Sequence, residues 1–399
     1  MPGRYVSRVW TYDPTIDAPA KYRRACQYEA FIPVKLAELS LSLEATVAGV
    51  ASEAEATIRE LNQSAGPALT PLARLLLRTE SMASSKIEGV QTGIRELGRA
   101  EAKIEAGEKA SISARTVLAN IEAMQLALVE TTAVDRFGLP EIVAIHRRLM
   151  ERTINAARIA GQIRTNQNWI GGNDYNPCGA DFVPPPPEDV PDLLDDLCKA
   201  INDDRLPPIV QASVVHAQFE TIHPFADGNG RTGRALIHVI LKRRRVAPAY
   251  VPPISVVLAA KRDRYIDGLT RFRGDRVGDW IEQFAAAAGS AARLAAAYLR
   301  EVRQLSAAWR ATLSAKPNPP RSDAAAWAVI DILPGYPVIT APVAAAATGR
   351  SRPQIYEGLE QLQAAGVLAS LSAARRNRSW EADGLLGLLE QLEDGQLPQ

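Results

Sequence analysis

Cysteine is scarce in this chain of 399 residues, which has three: Cys26, Cys178 and Cys198. The number is odd and no pair stands in CxxC spacing, so the sequence indicates neither a disulfide framework nor a zinc site. No run of about 18 apolar residues occurs, and no apolar stretch follows a basic N-terminus, so neither a membrane span nor a secretory signal is expected. The default expectation is a cytoplasmic protein with no membrane partner. An excess of one charge is missing as well. Lys+Arg total 46 against 45 Asp+Glu, so any surface for nucleic acid or membrane must be local. No internal repeat is visible. What remains is a composition with 47% hydrophobic and 23% charged residues, that of a globular protein with a core, and a length fit for two or three domains.

Helical apolar spacing dominates, and the reading is a mainly α fold. After an irregular start, "KLAELSLSLEATVAGVASEAEATIRELNQSAG" reads as a helix stopped by Gly66. "TPLARLLLRTESMASSKIEG" follows, with Thr70 as N-cap, Pro71 at the first position and Gly89 as the stop. Further helices are expected over 112–130, 138–152 and 277–313. Between them "GQIRTNQNWIGGNDYNPCGADFVPPPP" is rich in Gly, Asn and Pro, and reads as a hairpin with an exit over Pro184–Pro187. "SAKPNPPRSD" reads as a linker.

The chemistry concentrates in "HPFADGNGRTGR", His223 to Arg234. Its G-x-G-x-x-G is not a dinucleotide loop. Such a loop follows a strand and has an acid about 20 residues on, whereas "IVQASVVHAQFETI" is helical in spacing and "YVPPISVV" carries no acid. No P-loop pattern is present either. The residues support a turn between two helices, ended on one side by Pro224 and opened on the other by a helix N-terminus. Backbone amides of 228–231 would face outward there and suit phosphate oxygens. Around them stand an imidazole (His223), a carboxylate (Asp227) and two guanidiniums (Arg231, Arg234), a set suited to phosphoryl-group chemistry.

This stretch matches the Fic motif, H-P-F-x-[DE]-G-N-G-R-x-x-R, at every defined position, and the chain resembles the Fic family over about residues 30–300. The resemblance implies a Fic-fold helical core with a β-hairpin flap, and an activity that moves AMP from ATP to a Ser, Thr or Tyr hydroxyl of a target protein. By the same resemblance His223 is the general base and Asp227 holds Mg²⁺. Gly228, Asn229 and Gly230 form the anion hole, Arg231 and Arg234 take the outer phosphates, and Phe225 anchors the loop. Gly230, where kinase-like relatives carry Lys, favours the adenylyl reaction. Trp169 and Ile170 fall where the flap pins a target's backbone, although hairpin packing explains them equally. His216 reads as a supporting hydrogen-bonder, and His146 and His238 as core or surface residues.

"SSKIEG" resembles the family's inhibitory pattern, with Ser84, Glu88 and Gly89 in its defined places. In relatives this Glu pairs with the second motif arginine, here Arg234. A solvated Glu before a C-terminal glycine is the plainer alternative, although a negative charge there opposes the helix dipole. Some relatives with this brake also remove AMP.

The last seventy or so residues resemble a winged helix-turn-helix: helices, then two strands around a tip bearing Arg375, Arg376 and Arg378. Such modules contact DNA or protein, and both stay open because the helix from Ser351 carries Glu357 and Glu360. The expected division is a helical region with the inhibitory motif at 1–110, a catalytic core at 111–300, a linker at 301–321 and the winged-helix module at 322–399. Self-modification and a homodimer are family-level expectations. The rival reading is a DNA-binding regulator whose core senses nucleotide with little turnover.

Overall fold

The computed structural model describes residues 3–12, 14–15, 17–63, 70–105, 107–153, 155–371 and 378–397. The fold is mainly helical with small antiparallel sheets. The chain opens on strand β1 (Arg4–Trp10), which pairs with β2 (Cys26–Ile32). Six helices follow: α1 (Ala45–Gln63), α2 (Thr70–Ile87), α3 (Ile94–Glu105), α4 (Ile112–Val129), α5 (Leu139–Met150) and the single turn α6 (Ala156–Ile159). An irregular segment, 160–186, leads to α7 (Val190–Ile201), α8 (Pro208–Ile222) and α9 (Asn229–Arg243). Next come α10 (Ile254–Ala260), α11 (Arg262–Arg273) and α12 (Val277–Ser314). The remainder is α13 (Ala325–Ile332), β3 (Val338–Thr340), α14 (Ala341–Thr348), α15 (Arg352–Ala365), β4 (Leu368–Ser370), β5 (Ser379–Ala382) and α16 (Leu385–Glu393).

Two compact units emerge. The first comprises residues 1–53, 125–245 and 263–286, and the second 54–124, 246–262 and 287–399. In the first, α8 is buried on every side. A helix so enclosed must satisfy its own polar groups. Gln218 reaches the Val34 carbonyl (2.9 Å), Gln211 the Ala200 carbonyl (2.9 Å), and Thr221 folds back to Ala217 (2.8 Å). Helix α9 crosses α8 closely at Gly233, where a Cβ would stand 2.5 Å from Glu220 Oε1 and 2.9 Å from a Phe219 ring carbon.

In the second unit, α2 packs on α10. The fully buried Glu80 accepts the Ser255 amide (2.8 Å) and hydroxyl (2.6 Å), a carboxylate set on the first turn of α10. The C-terminal sheet has the order β3-β5-β4, both pairs antiparallel. Thr340 caps α14 through the Val343 amide (3.4 Å). At Gly358 the bare backbone of α15 lies against α13, where a Cβ would be 2.8 Å from the Ala326 nitrogen.

Four local expectations are corrected. The start of the chain is an ordered ribbon: β1 and β2 run in register from Arg4 opposite Ile32 to Trp10 opposite Cys26. Cys26 and Cys178 are joined in a disulfide, and only Cys198 is a free thiol. The hairpin expected after Gly161 has no continuous ladder, only single bridges at Ile163–Phe225 and Ile170–Phe182, because its glycines and prolines interrupt pairing. Finally, the helix expected over 277–313 runs from Val277 to Ser314, so the first part of the 301–321 stretch assigned to the linker belongs to that helix. Gly66, Arg375 and Arg376 lie outside the described residues. No helix among the described residues is long and apolar enough to cross a membrane.

Candidate functional site

The site is built at the turn from α8 to α9. Helix α8 ends on His223, which takes up the left-handed conformation (φ 49°, ψ 60°). That region suits glycine and is sparsely used by other residues, so surrounding contacts must hold the histidine there. Pro224 follows and prevents the helix from continuing. Phe225 is fully buried and stacks on the His146 ring, with centroids 3.6 Å apart. Gly228, at φ 78°, is the cap residue of α9. A Cβ at Gly228 would lie 3.0 Å from Met150 Sδ, so both conformation and space call for glycine.

Asn229 closes the loop. Its Oδ1 accepts the Phe225 amide (2.9 Å) and its Nδ2 donates to the Phe225 carbonyl (2.8 Å). Its Nδ2 also lies 3.2 Å from His223 Nδ1, so the side chain ties the loop to that ring. The first ladder bond of α9 runs from the Thr232 amide to the Gly228 carbonyl (3.1 Å), so the amides of Asn229 and Gly230 precede the ladder at the positive end of the helix. The Gly228 amide is taken by Asp227 Oδ1 (2.6 Å). The Asp227 side chain is 65% exposed, with Arg231 Nη2 3.5 Å from Oδ1. Arg231 and Arg234 are buried along α9, at 5% and 1% exposure.

Two positioning groups, Asn168 and Arg164, were not singled out in the sequence, and a third, His146, was read there as a core or surface residue. His146 accepts the Gly161 amide at Nδ1 (3.0 Å), so in the neutral ring Nε2 carries the proton and donates to the Asp227 carbonyl (2.9 Å). Burial lowers its pKa to about 4 and keeps it neutral. Asn168 donates from Nδ2 to the His223 carbonyl (3.1 Å) and the Phe225 carbonyl (3.0 Å), with the same nitrogen 2.9 Å from His223 Nδ1. Those two carbonyls fix which way the amide points. Arg164, 7% exposed, donates to the carbonyls of His223 (2.9 Å), Ile222 (3.3 Å), Asn166 (3.2 Å) and Pro185 (2.5 Å). Burial lowers its pKa to about 10. His216 lies beneath, 2.9 Å from the Tyr265 hydroxyl, and burial, with Arg234 nearby, lowers its pKa to about 3. His238 is buried in α9.

Flap residues Trp169 and Ile170 adjoin Asn168. Ile170 exchanges backbone bonds with Phe182 (2.8 and 3.1 Å) and is 39% exposed. The Trp169 indole donates to the Asn173 carbonyl (2.6 Å) and meets Trp10 of β1 edge-on. Thus His223, Asp227, Gly228, Asn229, Gly230, Arg231 and Arg234 share one helix–turn–helix, with the flap touching it through Arg164 and Asn168. In the second unit, α2 ends in a paired cap: the Val90 amide bonds the Ser85 carbonyl (3.0 Å) and the Gly89 amide the Lys86 carbonyl (3.0 Å). Gly89 is left-handed (φ 78°), Glu88 is the exposed cap residue and Ser84 is buried one turn earlier.

Residues 136–241 match the model of the Fic/DOC family, and residues 49–129 that of the Fic/DOC family N-terminal region. The chain carries a Fic domain. It is 34% identical over 122 residues to protein adenylyltransferase fic-1 of Caenorhabditis elegans, covering 30% of this chain and 22% of that protein. It is 32% identical over 117 residues to protein adenylyltransferase Fic of Drosophila erecta, covering 29% and 21%. The chain thus spans about a fifth of these relatives' length. Among solved structures, a Fic family protein from Desulfovibrio desulfuricans aligns over 86% of this chain and 98% of its own, at 20% identity and a TM-score of 0.52. Fic-1 of C. elegans aligns over 64% and 74%, at 21% and 0.52. These likenesses show the Fic fold.

Proposed function

We propose that the chain transfers AMP from ATP to a hydroxyl of a target protein, held back by its own Glu88. The observation that carries this reading is the single turn that sets His223, Asp227 and the first amides of α9 side by side. The target hydroxyl gives its proton to His223 as its oxygen bonds to the α-phosphorus. The bond to the bridging oxygen breaks and pyrophosphate leaves. The amides of Asn229 and Gly230, with Arg231 and Arg234, receive the phosphate charge.

Asp227 fits a Mg²⁺ ligand: it is one exposed carboxylate beside a phosphate cradle, the donor set magnesium uses when phosphate and water complete its shell. When bound, the ion would offset triphosphate charge. Trp169 and Ile170 would pin the target's backbone, which the exposure of Ile170 supports.

Glu88, Ser84 and Gly89 form the restraint in this reading. Glu88 caps the negative end of α2, where a carboxylate is unfavourable unless a cation elsewhere makes use of it. The C-terminal strands and helices support a winged-helix module. The Glu357 and Glu360 side chains on α15 favour a protein contact there over DNA, and salt-dependent binding to duplex DNA would reverse that preference.

Intact-mass analysis of Glu88→Gly with ATP and Mg²⁺, with and without His223→Ala, tests the whole. The expected result is an adenylyl adduct that disappears with the histidine. Equal labelling of wild type and Glu88→Gly would remove the restraint. An adduct that persists without His223 would remove the base.

A further inference from the structure

Helix α8 stops with His223 left-handed, and its last carbonyls need donors from elsewhere. Arg164 supplies them. Its guanidinium reaches the Ile222 and His223 carbonyls with one edge and the Asn166 and Pro185 carbonyls of the flap with the other. Its own amide donates to the Pro224 carbonyl (2.9 Å), and the neighbouring Ile163 bridges Phe225. A buried guanidinium held by backbone carbonyls, with no carboxylate in hydrogen-bond contact, uses the planar fork of arginine, which an ammonium cannot copy. Asn168, four residues on, adds a donor to the same His223 carbonyl and sets its amide nitrogen 2.9 Å from ring Nδ1.

We propose that Arg164, assisted by Asn168, is a positioning residue: it locks the flap to the end of α8 and thereby sets the His223 ring. The proposal rests on His223 being the reacting base. Arg164 touches no substrate in this scheme and acts through the histidine. The flap and the base therefore move as one piece, so a target that engages Trp169 and Ile170 meets a histidine already in register.

The experiment uses the full chain with Glu88→Gly, comparing Arg164→Lys with the parent in three readouts. The transfer kcat is expected to fall on the order of 10- to 100-fold, as for a base displaced by about 1 Å. The KM for ATP is expected to hold, because Arg231, Arg234 and the α9 amides are unchanged. In side-chain ¹⁵N spectra the His223 ring resonances are expected to shift or broaden while those of His146 stay. Unchanged kcat with unchanged His223 resonances in a folded Arg164→Lys would overturn the proposal. A rise in KM alone would also overturn it. If neither protein transfers AMP, the functional reading fails and the His223 spectrum still decides the positioning role. If Arg164→Lys does not fold, Asn168→Ala is read the same way. Its loss leaves the His223 carbonyl with Arg164 and the Phe225 carbonyl with Asn229, so the loop backbone keeps donors. A wild-type spectrum and rate in Asn168→Ala would then overturn the proposal.

Discussion

His146 Nε2 donates to the Asp227 carbonyl oxygen at 2.9 Å while Nδ1 accepts the Gly161 amide at 3.0 Å, so one neutral imidazole ties the loop before α9 to the start of the flap. The ring also lies flat on Phe225. Both the stacking and the two polar bonds hold the turn that carries the proposed chemistry.

His146→Phe separates the two contributions. A phenyl ring keeps the stack but leaves the buried Gly161 amide and the part-buried Asp227 carbonyl without this partner. The expected cost is about 1–3 kcal/mol for each group left unmade. Urea unfolding should show a lower midpoint with an unchanged slope. A midpoint equal to wild type would mean that water serves both groups.

Acid should weaken the fold through the buried histidines. His146 and His216 have folded pKa values lowered to about 4 and about 3, against an unfolded value near 6.5. The unfolded chain therefore binds protons first as pH falls. Stability is full above about pH 6.5 and is lost as pH drops towards those folded values. Urea midpoints between pH 7 and 4 should fall in wild type and fall less steeply in His146→Phe. Parallel curves would show that His146 is protonated equally in both states.

The motif from His223 to Arg234 was legible in the sequence because its residues carry their chemistry locally: a helix-ending proline, glycines at a turn, then basic residues on a new helix. The cap at Glu88–Gly89 was legible for the same reason. Arg164 and Asn168 were not, because their partners lie 59 and 55 residues away and no periodicity marks them. The ribbon escaped because β1 is covered on little of either face, so "RYVSRVW" shows no apolar alternation. The disulfide escaped for another reason. Cys26 and Cys178 are 152 residues apart, and only the packing of the ribbon against the flap segment brings them together.

Gly233→Ala tests the close crossing of α8 and α9. Alanine is the better helix former by about 1 kcal/mol, but its Cβ would press on Glu220, Phe219 and His216. Overpacking of this kind costs about 1–3 kcal/mol, so a net loss is expected. Thermal unfolding checks the sign. A raised midpoint would mean that Glu220 swings away without penalty.

Glu393 carries a pH dependence of the opposite sign. Burial raises its pKa to about 8, against about 4.3 for an unfolded glutamate. The folded state holds this proton more tightly, so the contribution to stability is full below about pH 4.3 and is lost as pH rises towards 8. Glu393→Gln should raise the thermal midpoint at pH 8.5 and leave it nearly unchanged at pH 4.5. Equal shifts at both values would assign the effect to shape.

Cys26 ends the β2 side of the ribbon and Cys178 lies in the flap segment, where Tyr22 stacks on Tyr175 and Trp10 meets Trp169. The bond closes a long loop, and its loss is expected to cost about 2–5 kcal/mol. Cys198 is buried, with its thiol pKa pushed up to about 12, so it stays unreactive in the folded protein. Iodoacetamide on the oxidised, folded chain should therefore add nothing. After mild reduction it should add two labels, at Cys26 and Cys178, and protease sensitivity of 172–180 should rise. A reducing compartment would keep the two thiols unpaired, and the flap would then rely on its ring contacts and on the Arg164 and Asn168 hydrogen bonds. Two labels without any reductant would show that the bond does not form.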